Sequence, residues 1–259
     1  MNHLFDISGK VAVVTGGSRG IGAMIAKGFI EAGVKTYITA RKLTELEATA
    51  AQLNSLGGAE CVALVSDLST LQGLSDFADA LKSREAKIDI LINNAGATWG
   101  EELSAFPEAG WDKVMDLNTK SPFFLLQQLL PLLREAGTQS DPARVINIGS
   151  INGLINPKMT NYSYSASKAA LMHLSQHLAA DLVGDHINVN CIAPGLFPSK
   201  MTAFAIAGNE DLMDASVPRG RIGNEDDAAG TAIYLCSKAS SWVTGQTIVL
   251  DGGMVAAAG

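Results

Sequence analysis

Seven short runs dense in valine and isoleucine, set between longer amphipathic segments, constrain this chain's fold more than any other feature. The runs are VAVVT (11–15), TYITA (36–40), CVALVSD (61–67), IDILINNAG (88–96), RVINIGS (144–150), INVNCIAPG (187–195) and QTIVLDGG (246–253). Most lack the apolar–polar alternation of a strand with one wet face, so they read as strands buried on both faces. Between the first two, Ile21, Met24, Ile25 and Phe29 share one helical face, and that helix ends at Gly33. Segments 48–56, 71–81, 111–133, 166–182 and 226–235 look similar. Strands that alternate with helices pair in parallel, because parallel neighbours need a crossover between them. The expected fold is α/β, a three-layer α/β/α arrangement on a seven-stranded parallel sheet. No linker or low-complexity tract divides residues 1–259, which are expected to form one domain. Segment 196–225 breaks the alternation after the sixth strand, where open parallel sheets bind ligands, and is a candidate substrate loop.

Composition narrows the function classes. With 47% apolar and 17% charged residues, the chain can bury a core and is no disordered polymer. A net charge of −7 offers no basic footprint for nucleic acid and no attraction to an anionic membrane. No run approaches the ~20 apolar residues of a membrane-spanning helix. MNHLFDISGK has no apolar segment after a basic start, so a soluble, cytoplasmic protein is expected. Cys61, Cys191 and Cys236 lie far apart in apolar surroundings and read as buried thiols of a reducing compartment. His173 and His177 are four apart on one helix, but no third ligand accompanies them, and no metal site is expected.

The first strand runs directly into TGGSRGIG (15–22) and then a helix. Glycines there permit a tight turn, and the helix N-terminus offers free N–H groups and a partial positive charge to a phosphate. Gly16, Gly20 and Gly22 give G-x-x-x-G-x-G rather than the usual G-x-G-x-x-G of a dinucleotide turn. In NAD binders an acidic residue ends the second strand and holds the ribose hydroxyls. Here that strand ends Thr39, Ala40, Arg41, Lys42. Arg41, with Arg19 inside the turn, would pair a 2′-phosphate that a carboxylate would repel, which favours NADP over NAD.

NYSYSASKAA (161–170) holds two tyrosines and a lysine at the start of a helix. Tyr164 is four residues before Lys168 and Tyr162 is six before it, so only Tyr164 lies one turn from the ammonium. A nearby cation lowers a tyrosine pKa. A tyrosine so tuned can exchange a proton with an alcohol or ketone near neutral pH.

Taken together, TGGSRGIG (15–22), NNAG (93–96), Asn118, Ser150, Tyr164 with Lys168, and PG (194–195) resemble the short-chain dehydrogenase/reductases, in order, over essentially the whole chain. The resemblance implies a Rossmann-type sheet with helices on both faces and nicotinamide-dependent interconversion of alcohols and carbonyls. It implies that Tyr164 is the general acid for reduction, that Lys168 depresses its pKa and holds the nicotinamide ribose, and that Ser150 hydrogen-bonds the substrate carbonyl. Asn118 would position a water linking Lys168 to solvent. Two placed hydroxyl donors suit the negative charge that hydride addition builds on oxygen. By the same resemblance, Gly16, Ser18, Arg19, Gly20 and Ile21 form the pyrophosphate and ribose turn. Asp67 and Leu68 form the adenine pocket, and Asn94, Ala95 and Gly96 adjoin the adenine ribose. Pro194, Gly195, Phe197 and Ser199 flank the nicotinamide. Ser199 stands where the family often has threonine and keeps the hydroxyl with less rigidity. Read alone, Asp67 is also a helix N-terminal carboxylate, and Ser69 could equally cap that helix.

Substrate is implied by finer detail. GATWGEEL (96–103), VINIGSINGL (145–154) and IAPGLFPSKMT (192–202) are most similar to a subgroup near the bacterial 3-oxoacyl reductases, and within it to the rhamnolipid-associated ketoacyl reductases. This implies NADPH-dependent reduction of a 3-oxoacyl thioester in fatty acid metabolism. Enzymes acting on sugars, polyols or cyclic ketones share the catalytic set and stand as the alternative. Trp99, Met159, Phe197, Met201 and Phe204 are candidates for an apolar pocket, with Tyr162 lining it. A non-catalytic NADP-binding sensor would keep the glycine turn but has no need of Ser150, Tyr164 and Lys168 together. An epimerase or dehydratase on the related longer scaffold would want a larger C-terminal domain. The helix over 165–183 carries apolar residues beyond its main stripe, including Ala166, Met172 and Val183, and a subunit interface would cover that second side. The resemblance implies a homotetramer built on this helix and the one over 111–133.

Overall fold

The computed structural model describes residues 2–156, 158–199, 202 and 210–258. Seven strands form one parallel sheet in the order β3–β2–β1–β4–β5–β6–β7. They are β1 (Val11–Thr15), β2 (Lys35–Ala40), β3 (Cys61–Val65), β4 (Ile90–Asn93), β5 (Ala143–Ile148), β6 (Ile187–Pro194) and β7 (Thr247–Leu250). Each lies within its predicted run or extends it by one residue. Every adjacent pair is parallel, as in Val13 beside Tyr37 on one side and Leu91 on the other.

Alternate strand residues supply two cores. Ala12, Val14, Ile38, Ile92 and Ile146 face α1 (Gly20–Glu31), α2 (Leu43–Asn54) and a later helix, Glu225–Cys236. Val13, Tyr37, Leu91, Val145 and Val189 face α3 (Leu71–Lys82), α5 (Ser121–Ala136) and α6 (Tyr162–Leu182). Helices on both faces explain why the strands lack polar alternation. Cys61, Cys191 and Cys236 are buried free thiols, as their apolar settings indicated. Among the described residues no helix is long and apolar enough to cross a membrane, and no group of three His, Cys, Asp or Glu side chains is placed to hold a metal ion.

Several local expectations need correction. The helix predicted over 111–133 is interrupted: α4 (Glu108–Met115) passes through a π-helical turn, Asp116–Lys120, before α5 begins. Such a turn inserts a residue into the ladder and re-aims its side chains. It turns Asn118 inward, where it is buried. Helix α3 is capped by neither Asp67 nor Ser69; Thr70 is the N-cap, its Oγ1 accepting from the Gly73 N–H at 3.0 Å. Met172, grouped with residues for a subunit interface, is buried within the chain beside Cys191 and Ala193. Of segment 196–225, the described part includes a short helix, Glu210–Ala215; Met201 and Phe204 lie outside the described residues.

A buried polar chain fastens α6 to the sheet. Asn93 Nδ2 on β4 donates to Asn147 Oδ1 on β5 at 2.8 Å. Asn147 Nδ2 donates to Ser175 Oγ on α6 at 2.8 Å, and Ser175 Oγ donates to the Leu171 carbonyl at 2.7 Å. All three side chains are almost fully buried, so each group depends on the next for its partner. Asn147→Ala leaves the Asn93 amide unsatisfied and is expected to lower the unfolding free energy by about 1–3 kcal/mol. A urea titration reads this as an earlier midpoint at unchanged slope; an unchanged midpoint would mean the chain of bonds contributes nothing.

Candidate active site

Strand order reverses at β1. The crossover through α1 leads to β2 on one side, while β4 pairs on the other, and this opens a crevice beyond the C-terminal ends of both strands. The crevice walls are tied across the gap. Thr15 Oγ1, at the end of β1, accepts from the N–H groups of Asn94 and Ala95, each at 2.9 Å. Asn94 Nδ2 donates back to the Thr15 carbonyl at 2.8 Å and to the Gly16 carbonyl at 3.1 Å. Gly16 has φ +65°, and a Cβ there would lie 2.9 Å from Asn94 Nδ2 and 3.0 Å from Ala95 Cα. Glycine at 16 is therefore required twice, by conformation and by space. Arg19 is the N-cap of α1 and makes no capping side-chain bond, which leaves the first turn uncovered.

From here a cleft of about 820 Å³ runs along the strand ends. One end is bounded by Ser18, Arg19, Arg41, Asp67 and Leu68, the middle by Gly16, Gly20, Ile21, Asn94, Ala95 and Gly96, and the other end by Ser150, Tyr164, Lys168, Pro194, Gly195, Phe197 and Ser199. The fold thus gathers every predicted catalytic and cofactor-binding residue around one space, except Asn118, which stands behind the wall. Phe197 lines the cleft, whereas Trp99 lies over Gly110 with the Lys113 ammonium 5.1 Å from its ring, and Met159 is exposed. Tyr162 does not line the cleft; it packs edge-on against Phe106, with ring centroids 5.8 Å apart.

At the reactive end, Tyr164 and Lys168 share one face of α6, and the ammonium lies 5.6 Å from the phenol ring centroid. Lys168 Nζ donates to the carbonyl of Ile148, the last residue of β5, at 2.6 Å. Burial brings the Lys168 pKa down to about 8, with the Cys191 thiol opposing the shift slightly. Tyr164 departs from expectation. Burial raises its pKa above the ordinary tyrosine value, and only the neighbouring Ser150 side chain pulls it back. The spacing placed the cation correctly, but the ammonium is turned toward Ile148, and loss of solvent decides the direction of the shift. Ser150 caps the short turn Ile151–Gly153, its Oγ accepting from the Asn152 N–H at 3.2 Å.

Asn118 holds this end together from behind. Its Oδ1 accepts from the Ala97 N–H at 2.8 Å, and its Nδ2 donates to the Ala97 carbonyl and to Ser167 Oγ, each at 2.9 Å. Thr119 Oγ1 donates to the Ser167 carbonyl at 3.1 Å, so the π-helical turn is bonded twice to α6 beside Lys168. Sequence reading gave no individual role to three residues that position the cleft, Thr15, Thr202 and Glu45. Thr15 is the brace just described; its signal was a hydroxyl ending an otherwise apolar strand. Thr202 Oγ1 donates to the Phe197 carbonyl at 2.6 Å and accepts from the Ser199 N–H at 2.9 Å, fixing the loop after β6. Glu45, in the first turn of α2, accepts from Arg19 Nη1 at 2.8 Å. Its only sequence signal was a carboxylate four residues after Arg41.

The short chain dehydrogenase family profile matches residues 10–209. The chain is 48% identical over 256 residues to the rhamnolipids biosynthesis 3-oxoacyl-[acyl-carrier-protein] reductase of Pseudomonas aeruginosa, covering 98% of this chain and 99% of that one. It is 35% identical to the 2-dehydro-3-deoxy-D-gluconate 5-dehydrogenase of Dickeya dadantii, covering 98% of each. Among solved structures, the Pseudomonas aeruginosa RhlG/NADP active-site complex superposes with a TM-score of 0.93 at 47% identity, covering 98% of this chain and 100% of that one. Family profile, whole-length likeness and the grouping of Ser150, Tyr164 and Lys168 agree that this chain belongs to the short-chain dehydrogenase family.

Proposed function

We propose that this chain is an NADPH-dependent reductase that converts the ketone of a 3-oxoacyl thioester to a secondary alcohol. The observation that carries the reading is one continuous cleft with guanidinium groups at one end and Ser150, Tyr164 and Lys168 at the other. Likeness to the Pseudomonas aeruginosa 3-oxoacyl reductase supports the substrate class, and likeness to the RhlG/NADP complex supports the cofactor.

The residues fit a phosphorylated dinucleotide. Gly16 and Gly20, both at positive φ, keep side chains away from the uncapped first turn of α1, so a pyrophosphate can reach free N–H groups. Ser18, Arg19 and Arg41 would hold the 2′-phosphate end, and Asp67 and Leu68 the adenine. Ile21, Asn94, Ala95 and Gly96 would line its middle, and Pro194, Gly195, Phe197 and Ser199 the nicotinamide side. Bound NADPH supplies a hydride.

The chain's own groups manage charge and proton. With its pKa raised by burial, Tyr164 stays a neutral phenol at neutral pH, the form a proton donor must hold. Ser150 Oγ gives the substrate oxygen a second donor as negative charge builds there. Lys168 brings a cation near that charge and would hold the nicotinamide ribose. Asn118 Oδ1 keeps one lone pair beyond its bond to Ala97, enough to hold a water between Lys168 and solvent. A sugar-acid ketone is the second reading, favoured by the gluconate dehydrogenase likeness. Against it, the only arginines among the described residues lining the cleft are Arg19 and Arg41, at the far end from Tyr164, so no guanidinium is offered to a substrate carboxylate.

Three outcomes are expected. NADPH oxidation followed by absorbance with a short 3-oxoacyl thioester should be strongly preferred over NADH; turnover of a sugar-acid ketone but not the thioester would overturn the substrate reading. Tyr164→Phe should lower kcat/KM by about 10²–10⁴-fold with NADPH binding retained by fluorescence titration; intact turnover would remove Tyr164 as the proton donor. Because burial brings Lys168 down to about 8, its cation is present below that pH and lost above it. A kcat/KM profile for reduction should therefore fall as pH rises through about 8, and a profile level to pH 10 would contradict the assigned role.

A further inference from the structure

The 2′-phosphate end of the cleft is not purely cationic. Arg19, Arg41 and Lys42 line it, but so do two carboxylates, Glu45 and Asp67. The carboxylates differ in what holds them. Asp67 Oδ1 accepts from Ser69 N–H at 3.1 Å and Ser69 Oγ at 2.7 Å, both in its own loop. Glu45 Oε1 instead accepts from Arg19 Nη1 at 2.8 Å and from Ser18 Oγ at 3.2 Å. Both donors belong to the glycine turn. The helix bearing Glu45 is anchored to that turn as well, since Thr49 Oγ1 donates to the carbonyls of Ser18 and Glu45, each at 2.9 Å. Arg41 has no hydrogen-bonding or ion-pair partner among the described residues.

We propose that Glu45 is a specificity-determining residue that competes with the 2′-phosphate of the dinucleotide for Arg19 and Ser18. This rests on the NADPH reading above. A phosphate that takes both donors must displace the carboxylate, and the carboxylate re-pairs with them when the phosphate leaves. Two anions cannot share one guanidinium face without repulsion, so the exchange is mutually exclusive. It is also feasible, because the Arg19–Glu45 pair is half-exposed, at 49% and 34% side-chain accessibility, and such pairs are weak. Arg41, with no partner among the described residues, is the uncontested part of the phosphate site; Arg19 is the contested part. Glu45 therefore lowers affinity for the phosphorylated dinucleotide and hastens its departure, without touching a dinucleotide that lacks the phosphate.

Calorimetric titration with 2′,5′-ADP and 5′-ADP tests this apart from turnover, in the wild type and Glu45→Gln. The wild type should bind 2′,5′-ADP more tightly than 5′-ADP. Glu45→Gln should tighten 2′,5′-ADP further, by about two- to five-fold, the worth of an exposed ion pair, and leave 5′-ADP unchanged. Affinity for 2′,5′-ADP should also fall more steeply with added salt in the variant, because screening no longer weakens a competing carboxylate at the same time. A wild type that prefers 2′,5′-ADP, joined to a Glu45→Gln variant with equal or weaker affinity, overturns the Glu45 inference alone. A wild type that binds both ligands equally removes the 2′-phosphate site, and both readings fail.

Discussion

Everything at this site depends on the bracing of β1 to β4 where the sheet's strand order turns back. Two crossovers leave that junction in opposite directions, so no helix fills the space beyond the strand ends. A bare crevice exposes backbone polar groups that must find partners. Thr15 and Asn94 satisfy them across the gap, and Gly16 permits the close approach of the two segments. The open first turn of α1 and the NNAG segment are thereby held as opposite walls of one cleft.

The reactive end is fixed by a second set of ties, all reaching α6. Asn147 and Ser175 fasten the middle of the helix to β5, Lys168 fastens its first half to the Ile148 carbonyl, and the π-helical turn grips Ser167. Three independent attachments leave Tyr164 little freedom to drift from Ser150. Preorganised donors of this kind stabilise developing charge without reorganising at the moment of reaction. The chain as a whole is acidic, with net charge −7, yet one end of the cleft gathers Arg19, Arg41 and Lys42. Local placement, not the global field, makes that end fit for a phosphate.

The legible parts of this chain were those set by local pattern. Strand positions followed from apolar runs, and the cleft lies at residues such as Asn94 and Ser150, where those runs continue past the last ladder bond. The Tyr164–Lys168 neighbourhood followed from helical spacing alone. What stayed hidden depended on the third dimension. DLNTK has nothing in its composition to announce a π-helical turn; the turn exists because Asn118 bonds Ala97 and Ser167, residues distant in sequence. Glu45 meets a partner on a different helix, and no spacing rule links it to Arg19. Spacing also shows who neighbours Tyr164 but not how dry its phenol is, and dryness decides the direction of its pKa.

On the proposed function, one cleft brings a nicotinamide dinucleotide and a 3-oxoacyl ketone together at Ser150, Tyr164 and Lys168. Isotope transfer tests it most directly. The protein would be given NADPH carrying deuterium at the transferring C4 position and a short 3-oxoacyl thioester, and the product analysed by mass spectrometry. Direct hydride transfer places one deuterium on the carbinol carbon formed from the ketone. Product without label, or no product when NADPH is bound, would contradict it.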